Sequence, residues 1–95
     1  MPNVEARIPV FFYKEGEKII AYTPVFDLST CGDTEEEARR RFVEAVAIFL
    51  RETKNMGTFE EVMEECGWRK DPDREDWIPP IYKATEEEIS IPSGG

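Results

Sequence analysis

The chain of 95 residues contains no histidine. That removes the commonest general base at neutral pH and the imidazole metal ligand. Cysteine is almost as scarce, with Cys31 and Cys66 alone. Two cannot build a disulfide framework, and neither stands with other ligands at zinc spacing. Both read as small apolar residues of a reducing compartment. No serine or cysteine has the base partner that nucleophilic catalysis requires, and no glycine-rich phosphate loop is present. No apolar run approaches the roughly 18 residues needed to span a bilayer. Residues Met1-Pro2-Asn3-Val4-Glu5 lack a basic stretch followed by an apolar one, so no secretory leader and a cytoplasmic address are expected. Internal repeats and low-complexity segments are missing too. No cofactor and no metal are expected.

What is present is a globular composition, 40% apolar and 35% charged, with a net charge of −9. The length suits a single domain with one modest core. The charge is uneven. Residues 1–57 hold ten acids and eight bases, whereas residues 58–95 hold eleven acids and four bases. Nucleic-acid affinity comes largely from Lys and Arg neutralising phosphates. So acidic a surface argues against direct nucleic-acid binding by this chain and suits a basic protein partner.

Two runs rich in β-branched and aromatic residues, 7–14 and 18–23, flank Glu15-Gly16-Glu17 and predict a β-hairpin. Pro24 ends the second strand's regular pairing. A third strand is expected through Leu28-Ser29-Thr30-Cys31. Thr34 with Glu37 forms a capping box for a helix whose first turn carries Glu35, Glu36 and Glu37. These acids stand four residues before Arg39, Arg40 and Arg41, the favoured order for ion pairs. Ala38, Phe42, Ala45, Val46 and Phe49 make its core stripe, widened by Val43, Ala47, Ile48 and Leu50. The helix should therefore be buried on more than one side in its second half, and end near Thr53 or Lys54. Thr58 and Glu61 predict a second capping box, for a short helix with Val62, Met63 and Cys66 on its apolar side. Gly67 should stop it in a left-handed conformation, with Trp68 returning onto Met63. Residues 69–76 read as a charged surface loop. Trp77 to Tyr82 reads as extended, because its prolines bias their predecessors away from helix. Ile89-Ser90-Ile91 is a candidate edge strand, and Pro92 to Gly95 should fray.

The residues Ala21-Tyr22-Thr23-Pro24, Leu28 and Gly32-Asp33-Thr34-Glu35-Glu36-Glu37-Ala38 together resemble the HicB-like antitoxin family. Gly57-Thr58-Phe59-Glu60-Glu61-Val62, ending in Gly67-Trp68, resembles one subgroup of it. The resemblance covers roughly residues 7–70. It implies an α+β fold of the partial ribonuclease H-like kind. A small antiparallel sheet of three to four strands carries one long and one short helix, in the order β-β-β-α-α. Residues 1–70 would form that domain, and 71–95 an acidic, proline-interrupted extension packing on or extending the sheet. The resemblance also implies neutralisation of a small basic toxin that degrades mRNA. Many members carry a DNA-binding module after this domain. Here no pair of basic helices follows Trp68, and Ser29-Thr30 stand where the family has Pro-Gly.

A nuclease-like fold prompts a search for convergent carboxylates, which two-metal catalysis needs from core strands and helices. The expected strands carry no acid within an apolar pattern. Asp27 and Asp33 fall in loops, and Glu44 on the polar side of the first helix. The chain is therefore expected not to be an enzyme. The leading expectation is a protein-binding module that sequesters a small basic, RNA-cleaving toxin. The alternative is an orphan homo-oligomeric structural domain of the same fold. Candidate partner-contact residues are Tyr22, Phe26, Trp68 and Trp77 as apolar anchors, with Glu60, Glu61, Glu64 and Glu65 as the acidic surround. The hairpin is apolar on both faces: Ile8, Val10 and Phe12 on one, Phe11 and Tyr13 on the other. One helix covers one face only. The second face calls for the Trp77–Tyr82 segment, a second copy or a partner, and self-association through the sheet as a dimer or tetramer is expected.

Overall fold

A computed structural model describes residues 6–74, 76–81 and 83–94. The expectations on Met1 to Glu5, Glu75, Tyr82 and Gly95 fall outside them. Strands β1 (Phe11–Glu15), β2 (Lys18–Thr23) and β3 (Leu28–Gly32) form an antiparallel sheet in the order β1-β2-β3. Helices α1 (Glu35–Asn55) and α2 (Phe59–Glu65) follow. The fold is thus a small α+β arrangement of the order β-β-β-α-α. Two short strands, β4 (Arg69–Lys70) and β5 (Trp77–Ile78), pair antiparallel in a sheet of their own. Arg69 and Lys70 were expected in a loop. They become a strand because Asp71 closes the turn: its N–H donates to the Asp76 carbonyl at 2.8 Å, and its carboxylate accepts from the Asp73 N–H at 2.8 Å.

β1 begins at Phe11 rather than Arg7, and register explains why. Phe11 lies opposite Tyr22, so continuing the ladder would set Pro9 against Pro24. Two prolines facing each other leave no N–H to donate. The alternation of side chains splits the sheet into two faces. Phe12, Ala21 and Thr30 stand in one row of the inner face, where Ala21 is fully buried and the Thr30 hydroxyl donates to the Ala38 carbonyl of α1 at 3.0 Å. Phe11, Tyr22 and Ser29, then Tyr13, Ile20 and Cys31, make the rows of the outer face.

Thr34 caps α1 as expected, accepting from the Glu37 N–H at 3.1 Å. Glu37 reaches back to the Asp33 N–H at 3.0 Å, and Glu35 pairs with Arg39 at 2.8 Å. The strand-to-helix turn is tight: a Cβ on Gly32 would lie 2.7 Å from the Ala38 backbone nitrogen. α1 runs to Asn55, slightly past the expected end, and of its widened apolar stripe only Leu50 packs on the core. Val43 and Ile48 are 61% and 50% exposed, because the sheet is narrow and meets only one side of the helix.

The second capping box does not form. The Thr58 side chain makes no cap bond to α2. Its hydroxyl and its N–H both go to the Thr53 carbonyl, at 3.4 and 2.9 Å, so Thr58 closes the end of α1 instead. The stop of α2 is the Schellman arrangement expected. Gly67 has φ +92°, its N–H reaches the Glu64 carbonyl at 3.0 Å, and the Trp68 N–H reaches Met63 at 2.9 Å. Residues 89–91 form no strand.

The core has two centres. Ala21, Ala38 and Phe42 hold the first, between sheet and helix. Val25, Met63 and Trp68 hold the second, under α2, with Leu50, Phe59, Trp77 and Ile81 around them. From the chain after β4, Trp77 and Ile81 therefore pack on the second centre. They do not cover the outer sheet face, where Phe11 and Tyr13 are each 49% exposed.

Candidate functional site

α2 spans two turns, and its residue spacing sorts it into two sides. Phe59, Val62, Met63 and Cys66 fall on one arc, and Phe59, Met63 and Cys66 pack on the second core centre. Glu60, Glu61, Glu64 and Glu65 fall on the other and are all exposed. Glu60 pairs with Lys70 at 3.4 Å. Glu61, Glu64 and Glu65 have no ion pair among the described residues. The four expected acids therefore form one contiguous surface.

Against the opposite side of α2, where Phe59 lies, opens a groove of about 460 Å³, lined by Ile8, Phe26, Leu50, Phe59, Trp68 and Trp77 together with Arg7 and Asp76. Trp77 is half-buried and meets Phe59 edge-on, with ring centres 5.9 Å apart. Lys70 stands over Trp77 at 5.9 Å and Lys54 over Phe59 at 5.6 Å, each cation held against an aromatic face. Phe26 stacks on Trp68 at 5.3 Å and tilts against Phe49 at 5.5 Å.

These contacts sort the expected anchors. Trp77 and Phe26 are half-buried at the groove. Trp68 is 3% exposed and belongs to the core, filling the space that the α2 stop leaves beneath it. Its buried indole N–H has no hydrogen-bond partner among the described residues. Tyr22 stands apart, on the outer sheet face. Its hydroxyl donates to Asp27 at 3.0 Å, and that bond to a carboxylate raises the phenol pKa above its usual value. The bond ties β2 to the turn at Asp27, whose φ is +50°. Phe59 was not among the expected contacts. With Met63 and Cys66 it makes an i, i+4, i+7 series, the signal that would have found it.

Cys31 is exposed on the outer sheet face and Cys66 is partly buried under α2; both are free thiols. Burial, with the Glu65 charge nearby, raises the Cys66 pKa. Among the described residues no three Cys, Asp or Glu side chains gather at a metal-binding distance, and no helix is long and apolar enough to cross a membrane. The arrangement offers shape and charge: an apolar, aromatic-edged groove on one side of α2 and, on the other, carboxylates that are unpaired among the described residues. Comparison of the chain with family models, with curated proteins and with solved structures gave no match.

Proposed function

We propose that this chain is a non-catalytic protein-binding module that sequesters a small basic, RNA-cleaving toxin in the cytoplasm, in the manner of the HicB-like antitoxins it resembles. The observation that carries the reading is the α2 surface. Glu61, Glu64 and Glu65 stand unpaired among the described residues on one side of α2, and the other side carries Phe59 into a groove that Trp77 also lines. A protein that cleaves RNA must present cations to its substrate, so an unpaired acidic surface competes for the same face. Opposed charges accelerate the encounter, while aromatic anchors set the rate of dissociation. The HicB-like sequence signature supplies the toxin as the kind of basic partner.

The test uses the purified chain and any small basic protein encoded beside it. The two should co-purify at roughly 50 mM salt and separate towards 500 mM, through charge screening. RNA cleavage by the partner should stop in the complex, and replacing Glu61, Glu64 and Glu65 by Lys should abolish the protection. Absence of binding at low salt defeats the reading. The orphan homo-oligomer would then replace it, a reading favoured by the half-exposed Phe11 and Tyr13 on the outer sheet face.

A further inference from the structure

Residues 83–94 form an arm, and every one of them is exposed. The arm carries two large apolar side chains, Ile89 at 73% and Ile91 at 78% exposure. Placed at i and i+2, they fall on one side of any extended strand, with Ser90 on the other. Three consecutive acids, Glu86, Glu87 and Glu88, precede them. The molecule measures 57 × 29 × 19 Å, so its long dimension is about twice the next.

A complementary site exists on the body. β1 is an edge strand, so half of its backbone N–H and C=O groups face outward. At the start of that edge runs a second groove, of about 470 Å³, between α1 and the segment that leads into β1, reaching Phe12 of β1 itself. Its apolar walls include Val10, Phe12, Phe42 and Val43. Val43 is 61% exposed there, and no element of the described chain covers it. Arg7 and Arg39 line the same groove, Arg39 held over the Phe12 ring at 5.1 Å. Lys14 is exposed on the same strand. The groove is thus apolar at its floor and basic at its margin. The arm is apolar at its isoleucines and acidic just before them.

We propose that the arm of one copy docks as a fourth strand on the free edge of β1 of a second copy, with Ile89 and Ile91 in this groove. Main-chain hydrogen bonds would satisfy the edge, and the two isoleucines would set the register. Glu86–Glu88 would lie against Arg7, Lys14 and Arg39. A second copy is the occupant because arm and groove belong to the same chain and match in charge, yet this arm is exposed along its whole described length. A two-fold exchange closes the assembly and engages two arms and two grooves at once. Such a dimer leaves the acidic surface of α2 open, so it stands independently of the toxin reading.

Sedimentation equilibrium of the full chain at micromolar concentration is the test. It should report twice the 11.0 kDa of one chain. The Ile89→Asp, Ile91→Asp variant should report half that mass, and so should Val43→Glu. Their circular dichroism should stay native, because these three side chains are largely exposed in the isolated fold. Phe11→Ser with Tyr13→Ser, on the opposite sheet face, should remain dimeric. A monomeric full chain overturns the proposal and points to the arm folding on its own body. A dimer that survives the isoleucine variant also overturns it, and moves the interface to the outer sheet face.

Discussion

Gly32→Ala probes the joint between sheet and helix. The added methyl would lie 2.7 Å from the Ala38 backbone nitrogen and 3.0 Å from Cβ and Cγ of Glu37. The closest atom is main chain, and Ala38 is fully buried, so no side-chain rotation can clear the contact. Gly32 does not have a left-handed φ, so the loss is steric rather than conformational. Overpacking of this kind destabilises by about 1–3 kcal/mol. Replacing glycine by alanine also restricts the unfolded chain, which returns roughly 0.4–1 kcal/mol. Taken from the middle of both ranges, the net expectation is a loss of about 1–2 kcal/mol. For a protein of this size, with a urea slope of about 1 kcal/mol per molar, the unfolding midpoint should fall by roughly 1–2 M. Glu37→Ala in the same background should recover little, because it removes the side-chain contacts and leaves the backbone one. The assay is urea unfolding followed by far-ultraviolet circular dichroism. A midpoint unchanged by Gly32→Ala would refute the close approach of β3 to α1. Full recovery in the double variant would refute the assignment of the clash to the backbone.

The two threonines before the helices should respond differently. Thr34→Ala should lose roughly 0.5–2 kcal/mol in the same assay, because it removes a cap bond that is made, whereas Thr58→Ala should lose clearly less. Equal losses would mean that Thr58 caps α2 after all. The Lys18–Asp33 pair supplies a pH signature. Lys18 donates to the Asp33 carboxylate, which lowers the Asp33 pKa and raises that of Lys18. A depressed carboxyl stabilises the fold above its unfolded value and loses that contribution as pH falls through the folded one. The window therefore opens below about pH 4. Asp33→Asn should flatten the thermal midpoint's dependence on acid there. The effect should be small and salt-sensitive, since both side chains are more than half exposed. An undiminished slope in the variant would show that the pair is not formed.

Local chemistry explains which parts of the fold were readable in the sequence. The hairpin, the Thr34 cap, the Glu35–Arg39 pair and the Schellman stop at Gly67 each depend on residues within a few positions of one another. Spacing alone specifies them. The errors arise where distant contacts decide. Thr58 has the residue type and the Glu61 partner of a capping box, but the nearby end of α1 offers a carbonyl that the sequence does not advertise. Val43 and Ile48 fit an apolar stripe, yet a three-stranded sheet is too narrow to reach them. Arg69 and Lys70 pair with Trp77 and Ile78 only because Asp71 folds the loop between them. The acids of α2 were legible, since helical spacing puts them on one side. That Trp68 is core while Trp77 edges the groove was not, because both are tryptophans in similar surroundings and only the packing separates them.

Ile8 lies outside every strand, yet it touches both centres of the core. Besides the run of α1, where Val46 serves one centre and Leu50 the other, it is a bridge between them. Two small clusters would otherwise melt on separate schedules, each below the size at which burial outweighs chain entropy. A side chain shared by both makes the loss of either one weaken its neighbour. Any coupling of the two centres in unfolding thus leans on a residue that lies outside the regular strands and helices.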